Sequence, residues 1–163
     1  MKVLKFGGTS VADSKSINNV ISILKDNDEP LFIIVSAFGG VTNLLQKCIV
    51  SKGKSVSGII NEIEQRHLEV IDNLSSLEKQ SSLKSFLKQN LNELEDILDA
   101  ISTIDEVTDK TISKVLTLGE ILSSNIIYKI LKQKGFDISY IDSRDLIFTK
   151  DFNYSQILDS DKT

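Results

Sequence analysis

Only one cysteine, Cys48, occurs in the 163-residue chain, so neither an internal disulfide nor a cysteine-based zinc cluster can form. Cys48 itself reads as a small apolar filler. Proline is as scarce: Pro30 is the only one, and it closes the run Asn27-Asp28-Glu29-Pro30 that ends a helical pattern. The single histidine, His67, falls in a helical apolar stripe and reads as a packed residue rather than a catalytic one. Basic residues are spread thinly and the net charge is −4, so no basic patch points to nucleic acid. No apolar run approaches the roughly 20 residues a membrane span requires. Val3-Leu4 is far too short for the core of a signal peptide. No G-x-G-x-x-G occurs, which leaves a Rossmann dinucleotide site unsupported. Gly53-Lys54-Ser55 looks like the tail of a phosphate loop, but the earlier glycine that motif requires falls on Cys48, and a helical pattern precedes it instead of a strand. With 40% apolar and 26% charged residues, a globular domain with a real core is expected. The expected setting is cytoplasmic, without nucleic-acid or membrane partners.

What the chain does have is concentrated at its start, Met-Lys-Val-Leu-Lys-Phe-Gly-Gly-Thr-Ser-Val-Ala. Val3, Leu4 and Phe6 form a short apolar run that stops at Gly7-Gly8, the pattern of a buried strand bounded by a turn. Two glycines let the backbone bend sharply and approach a ligand closely. Thr9 and Ser10 add two hydroxyls before a helical pattern begins. A strand, a glycine turn and a helix start present backbone N–H groups to a phosphate. Lys5 would supply a positive charge beside those donors. The plainer alternatives are a solvated strand lysine, and hydroxyls that merely form the turn.

Residues 13–27 read as a helix, with Ile17, Val20, Ile21 and Leu24 on one face and Asp13 or Ser14 as N-cap. Leu31 to Phe38 is nearly continuous in apolar residues and predicts a strand buried on both faces. Strand, helix and strand make a β-α-β unit with parallel strands. Gly39-Gly40 forms a second turn, and Val41-Thr42-Asn43-Leu44-Leu45 opens another helix. Ligands bind outside the carboxyl ends of parallel strands, so both turns should face one cleft. Residues 55–103 carry two helical stripes, Val56 to Leu74 and Leu83 to Ile101, separated by a polar connector over Ser75–Ser82; this predicts a helical hairpin. A third long helix is expected over Ser113–Lys134, ended by Gly135. Phe136 to Ile141 alternates like a strand, and residues 151–163 show little periodicity.

Within the third helix, Thr117, Glu120 and Ser124 form a polar row. Such a row is usually the wet face. Gly119 in mid-helix costs about 1 kcal/mol relative to alanine, which asks for a packing or ligand reason. Thr42 reads either as a ligand contact or as a helix N-cap. The Asp142-Ser143-Arg144-Asp145 segment reads as a loop anchored by an ion pair of Arg144, one of two arginines.

Lys5-Phe6-Gly7-Gly8-Thr9-Ser10-Val11-Ala12 closely resembles the opening of aspartokinases, within the amino-acid kinase superfamily. The start at Met1 without a leader is similar to the kinase half of bifunctional aspartokinase–homoserine dehydrogenases. Ser36-Ala37, Gly40 to Leu45 and Gly119-Glu120 resemble segments around that family's substrate site. The resemblance implies an α/β fold, a three-layer sandwich with a mainly parallel sheet as in carbamate kinases. The 163 residues would be the N-terminal part of the catalytic domain, truncated, with a helical insertion at about 55–110. It also implies phosphorylation of the L-aspartate side chain to 4-phospho-L-aspartate in amino-acid biosynthesis. ATP and Mg²⁺ are the expected cofactors, and a homo-oligomer the expected state of the parent. Lys5, Gly7, Gly8, Thr9 and Ser10 would meet the nucleotide phosphates, with Lys5 catalytic. Ser36, Thr42 and Glu120 would hold aspartate, Glu120 through its ammonium. No residue here is singled out as a metal ligand. Segments that hold the adenosine, the metal and the substrate's carboxylate lie further along in the family, so this stretch alone is expected to be inactive. Another amino-acid kinase acting on a different carboxylate or carbamate, or a non-catalytic oligomerising fragment, are the alternatives.

Overall fold

The computed structural model describes residues 1–147 and the backbone of two further strands, Thr149–Phe152 and Ser155–Leu158. The β-α-β unit is present: β1 (Lys2–Phe6), α1 (Ser14–Lys25) and β2 (Leu31–Val35). β1 and β2 run parallel, paired from Lys2–Leu31 to Phe6–Val35. Asp13 caps α1, its Oδ1 accepting from the Ser16 N–H at 2.7 Å. That bond holds the Asp13 carboxyl below the usual carboxylate range. The predicted stripe of Ile17, Val20, Ile21 and Leu24 is buried.

Pairing fixes which side chains share a face of this sheet. Leu4, Phe6, Leu31, Ile33 and Val35 pack against the helical core. Val3, Lys5, Phe32 and Ile34 take the other face, where Val3 is 62% and Ile34 43% exposed. The expectation that the second strand is buried on both faces is therefore corrected. The described helices gather into one core on one side of the sheet, and none of them covers the other.

Four helices complete that core: α2 (Val41–Val50), α3 (Ser57–Leu74), α4 (Leu77–Ile104) and α5 (Asp109–Gln133). α3 and α4 form the predicted hairpin. Leu83, Leu87, Leu91, Leu94 and Leu98 are all buried, each worth roughly 1.5–3 kcal/mol in transfer free energy. The connector is shorter than Ser75–Ser82. Only Ser75 and Ser76 lie between the helices, because Glu78, Lys79 and Gln80 are good helix formers whose polarity marks a wet face, not a loop. Ser76 makes no side-chain cap; the Gln133 side-chain carbonyl accepts from its N–H and from the Ser75 hydroxyl, both at 3.0 Å. α5 starts four residues earlier than the apolar pattern suggested, capped by Thr108, whose Oγ1 accepts from the Thr111 N–H. Gly135 follows its end with φ +87°.

Phe136–Ile141 is not a strand. Phe136, Ile138 and Tyr140 are half-buried and alternate with exposed neighbours, so the period read from the sequence is real. No described strand pairs with the segment, and a ladder needs a partner as well as a pattern. Instead the Tyr140 ring leans on Tyr128, centroids 5.5 Å apart, and its hydroxyl lies 3.2 Å from the Ser124 hydroxyl. At the start of and within 151–163, where the sequence shows little periodicity, β3 (Thr149–Phe152) and β4 (Ser155–Leu158) pair antiparallel. Four-residue strands are too short to show a pattern.

Gly53-Lys54-Ser55 is a structural clasp. A Cβ on Gly53 would sit 2.2 Å from the Leu98 carbonyl oxygen, so only glycine fits. Lys52 and Lys54 both reach the Asp105 carboxylate at 3.1 Å, which lowers its pKa. Among the described residues no helix is long and apolar enough to cross a membrane.

Candidate functional site

The two glycine turns leave the carboxyl ends of β1 and β2 and touch. In the first, the Ser10 N–H closes the turn on the Gly7 carbonyl at 2.8 Å. Gly7 faces open space: nothing lies within 4 Å of where a Cβ would be. In the second, a Cβ on Gly39 would stand 2.7 Å from Ala12 Cβ and 3.3 Å from the Gly8 carbonyl oxygen. Gly39 is thus the condition for pressing one turn onto the other. Gly40 adopts φ +80° as the N-cap of α2, with the Leu44 N–H bonded to its carbonyl at 3.1 Å. Thr42 is the second residue of α2 and exposed, so its reading as the N-cap is corrected: Gly40 holds that place.

α5 crosses the second turn at Gly119. A Cβ there would meet Ala37 Cβ at 2.9 Å and Leu45 Cδ1 at 3.3 Å, so the mid-helix glycine has a packing reason. One turn of helix further on, the Ser123 hydroxyl donates to the Ser36 carbonyl at 2.8 Å. Glu120 follows Gly119 directly and is half-buried. The row Thr117, Glu120, Ser124 is half-buried throughout and is not simply a wet face. Thr117 donates to the Ser113 carbonyl, and Ser124 meets Tyr140. The Glu120 carboxylate has no hydrogen-bond partner among the described residues.

The fold therefore brings together Gly7, Gly8, Ser36, the start of α2 with Thr42, and Gly119-Glu120. Thr9 and Ser10 are exposed on the first turn. Lys5 stands apart: it is exposed on the sheet face away from the helices, paired with Ile34, one residue short of the end of β1.

Several side chains that carry chemistry elsewhere do none here. His67 is fully buried, its ring 4.9 Å from that of Phe38 beneath the second turn. Burial pushes its pKa down to about 4, against a smaller opposing effect of the Ile63 carbonyl, so it is neutral at pH 7. Nδ1 donates to that carbonyl at 2.7 Å, and Nε2 has no partner among the described residues. Burial raises the Cys48 thiol to about 11, which leaves it unreactive near neutrality. Arg144 forms the expected loop ion pair, gripping Asp142 through Nε and Nη2. Among the described residues no three His, Cys, Asp or Glu side chains come together as an all-protein metal site; a Mg²⁺ carried with nucleotide phosphates needs only one or two carboxylates.

Two residues at the site escaped the sequence reading. Arg66 Nη1 donates to the Gly39 carbonyl at 2.8 Å, and the Glu69 carboxylate accepts from the Ser14 N–H at 3.1 Å. Their i, i+3 spacing on the polar side of α3 was the only signal, and charged residues so spaced are common on solvated helices.

Touching glycine turns at the ends of parallel strands, crossed by a helix that presents a carboxylate, define an α/β domain with its candidate site at the strand ends. The chain belongs to the amino acid kinase family, whose sequence profile matches residues 1–162. Within that family it is 32% identical over 149 residues to an aspartokinase of Chlamydia pneumoniae, covering 91% of this chain and 31% of that protein. It is 28% identical to the bifunctional aspartokinase/homoserine dehydrogenase of Buchnera aphidicola, over 87% of this chain and 18% of that one. Among solved structures, Escherichia coli aspartokinase III in complex with aspartate and ADP superposes with a TM-score of 0.84 at 21% identity, over 98% of this chain and 35% of that chain. That likeness shows the fold, α/β with a parallel sheet. The chain spans about a third or less of these relatives.

Proposed function

We propose that the chain is the N-terminal part of an aspartokinase catalytic domain, with the α3–α4 hairpin as a helical insertion at about 55–110. The reaction is transfer of the γ-phosphoryl group of ATP to the side-chain carboxylate of L-aspartate, giving ADP and 4-phospho-L-aspartate. The observation that carries this reading is the contact of Gly39 with the first turn beneath Gly119-Glu120. It brings the open backbone of Gly7 and the half-buried Glu120, whose carboxylate has no hydrogen-bond partner among the described residues, to the same end of the sheet.

The aspartate side chain has a pKa of about 3.9, so it is a nucleophile at pH 7 without a general base. The protein's task is to align two anions and to offset charge on the phosphoryl group in flight. In this reading the backbone of Gly7, Gly8, Thr9 and Ser10 meets the phosphates, and Lys5 supplies the cation by reaching past the end of β1 from the open sheet face. Thr42 and Ser36 border the aspartate, and Glu120 takes its ammonium in a charge-assisted bond. Mg²⁺ carried with the nucleotide would supply charge neutralisation at the phosphates. The proposed setting is amino-acid biosynthesis in the cytoplasm, in a homo-oligomer.

Titration of L-aspartate, L-glutamate and ATP into the 15N-labelled chain tests this. Aspartate is expected to shift Thr42, Gly119 and Glu120, and ATP to shift Gly7 to Ser10. Perturbation by glutamate in preference to aspartate would mean another amino-acid kinase. Silence of both segments at millimolar ligand would overturn the reading.

A further inference from the structure

Ala37 and Phe38 anchor the second turn in the core, and Ser123 holds the Ser36 carbonyl. A further hold on both turns comes from the polar side of α3. Along that helix Glu62, Arg66, Glu69 and Asn73 make a polar row beside the buried stripe, at i, i+4, i+7 and i+11. Arg66 Nη2 is held by Glu62 Oε1 at 2.8 Å, which aims Nη1 at the Gly39 carbonyl, also at 2.8 Å. The guanidinium lies over Gly40, Nη1 3.3 Å from where a Cβ would be. Three residues on, Glu69 Oε2 accepts from the Ser14 N–H at 3.1 Å and Oε1 from the Ser14 hydroxyl at 2.5 Å. Asn73 Nδ2 steadies that carboxylate at 3.0 Å. Ser14 is the first residue of α1, where the chain leaves the first turn. One face of one helix thus grips the segments that carry both turns.

We propose that Arg66 is a positioning residue of the substrate site: it fixes the left-handed Gly40, and through it the start of α2 and Thr42. Glu69 does the corresponding work where the first turn enters α1. The argument is geometric. A planar guanidinium with one edge committed to Glu62 has a fixed direction for its remaining donors. A charge-assisted bond to a carbonyl is stronger than a neutral one. Arg66 is also well exposed, and an exposed pair contributes little to global stability. Its removal should therefore loosen the turn without unfolding the domain. The consequence for aspartate rests on the function proposed above; the hold on the turn does not.

Amide hydrogen exchange on the 163-residue chain separates the two. The reporters are the Val41 N–H, bonded to the Phe38 carbonyl, and the Leu44 N–H, bonded to that of Gly40. In Arg66→Ala both are expected to exchange at least tenfold faster, while Ile126 and Ile130 in α5 and the urea midpoint stay near wild type. Arg66→Lys, which keeps the charge but cannot hold Glu62 and the Gly39 carbonyl with one rigid fork, should recover only part of the protection. Aspartate affinity, read by NMR titration, should fall at least fivefold in Arg66→Ala and recover in part in Arg66→Lys. Unchanged exchange at Val41 and Leu44, or equal acceleration in every helix, would overturn the proposal. So would the local acceleration accompanied by unchanged aspartate affinity. Local acceleration in a chain whose wild type binds no aspartate would sink the function and leave the hold on the turn standing.

Discussion

Acidification from pH 7.5 to 4.5 is expected to weaken the fold through His67, by an amount the structure bounds. The ring is fully buried against Phe38, with Nε2 unpartnered among the described residues, and its pKa is depressed to about 4. Unfolded, it titrates at an ordinary value of about 6.5. Between those values the unfolded chain binds a proton that the native chain refuses. Stability from this residue is fully present above pH 6.5 and is lost as pH falls, levelling off below about 4. The loss is roughly 1 kcal/mol by pH 5.5 and roughly 2–3 kcal/mol by pH 4.5. Carboxylates titrate in the same range, so the assay must be differential. Urea denaturation of the wild type and of His67→Leu, at intervals from pH 7.5 to 4.5, isolates the histidine. Leucine fills a similar volume and carries no proton. The two stability curves are expected to converge, or cross, as pH falls, with the variant gaining roughly 2–3 kcal/mol on the wild type. Parallel curves would refute the reasoning, and would mean that His67 titrates in the native state near its ordinary value.

Gly119→Ala should destabilise the domain by roughly 1–2 kcal/mol in urea, although alanine is the better helix former by about 1 kcal/mol, because its Cβ would press on Ala37; a gain in stability would show that α5 and the second turn are free to part. Glu120→Gln is expected to weaken aspartate binding roughly 10- to 100-fold with little change for ATP, and equal effects on the two ligands would return Glu120 to a solvent role. In a catalytically active form of the enzyme, Lys5→Ala should lower kcat by roughly two to four orders of magnitude with the fold intact; an unchanged kcat would remove Lys5 from the site. The sheet face of Val3, Phe32 and Ile34 leaves apolar surface exposed, so sedimentation velocity of these 163 residues should show concentration-dependent mass that Ile34→Lys reduces; an unaltered profile would place the association elsewhere.

By itself the sequence determined the elements whose residues interact locally. Helix periodicity marked the stripes of α1, α3 and α4, because a 3.6-residue repeat of apolar side chains has few other uses. Asp13 could be read as a cap because capping joins residues three apart. The glycine turns were legible because a strand that ends on two glycines is a local signal, and the carry-over of Ser36, Thr42 and Glu120 came from motif resemblance. Tertiary structure decided everything that depends on who stands opposite. It made Phe136–Ile141 a packed extended segment without a partner strand, and left one face of β2 open. It explained Gly119 by the proximity of Ala37, 82 residues earlier in the chain. It also recruited Arg66 and Glu69 from the wet side of α3 to hold two turns that lie 27 and 55 residues away in sequence. A hydrogen bond across that separation leaves no trace in local pattern, since it depends on the angle at which one helix crosses the ends of two strands, and packing sets that angle.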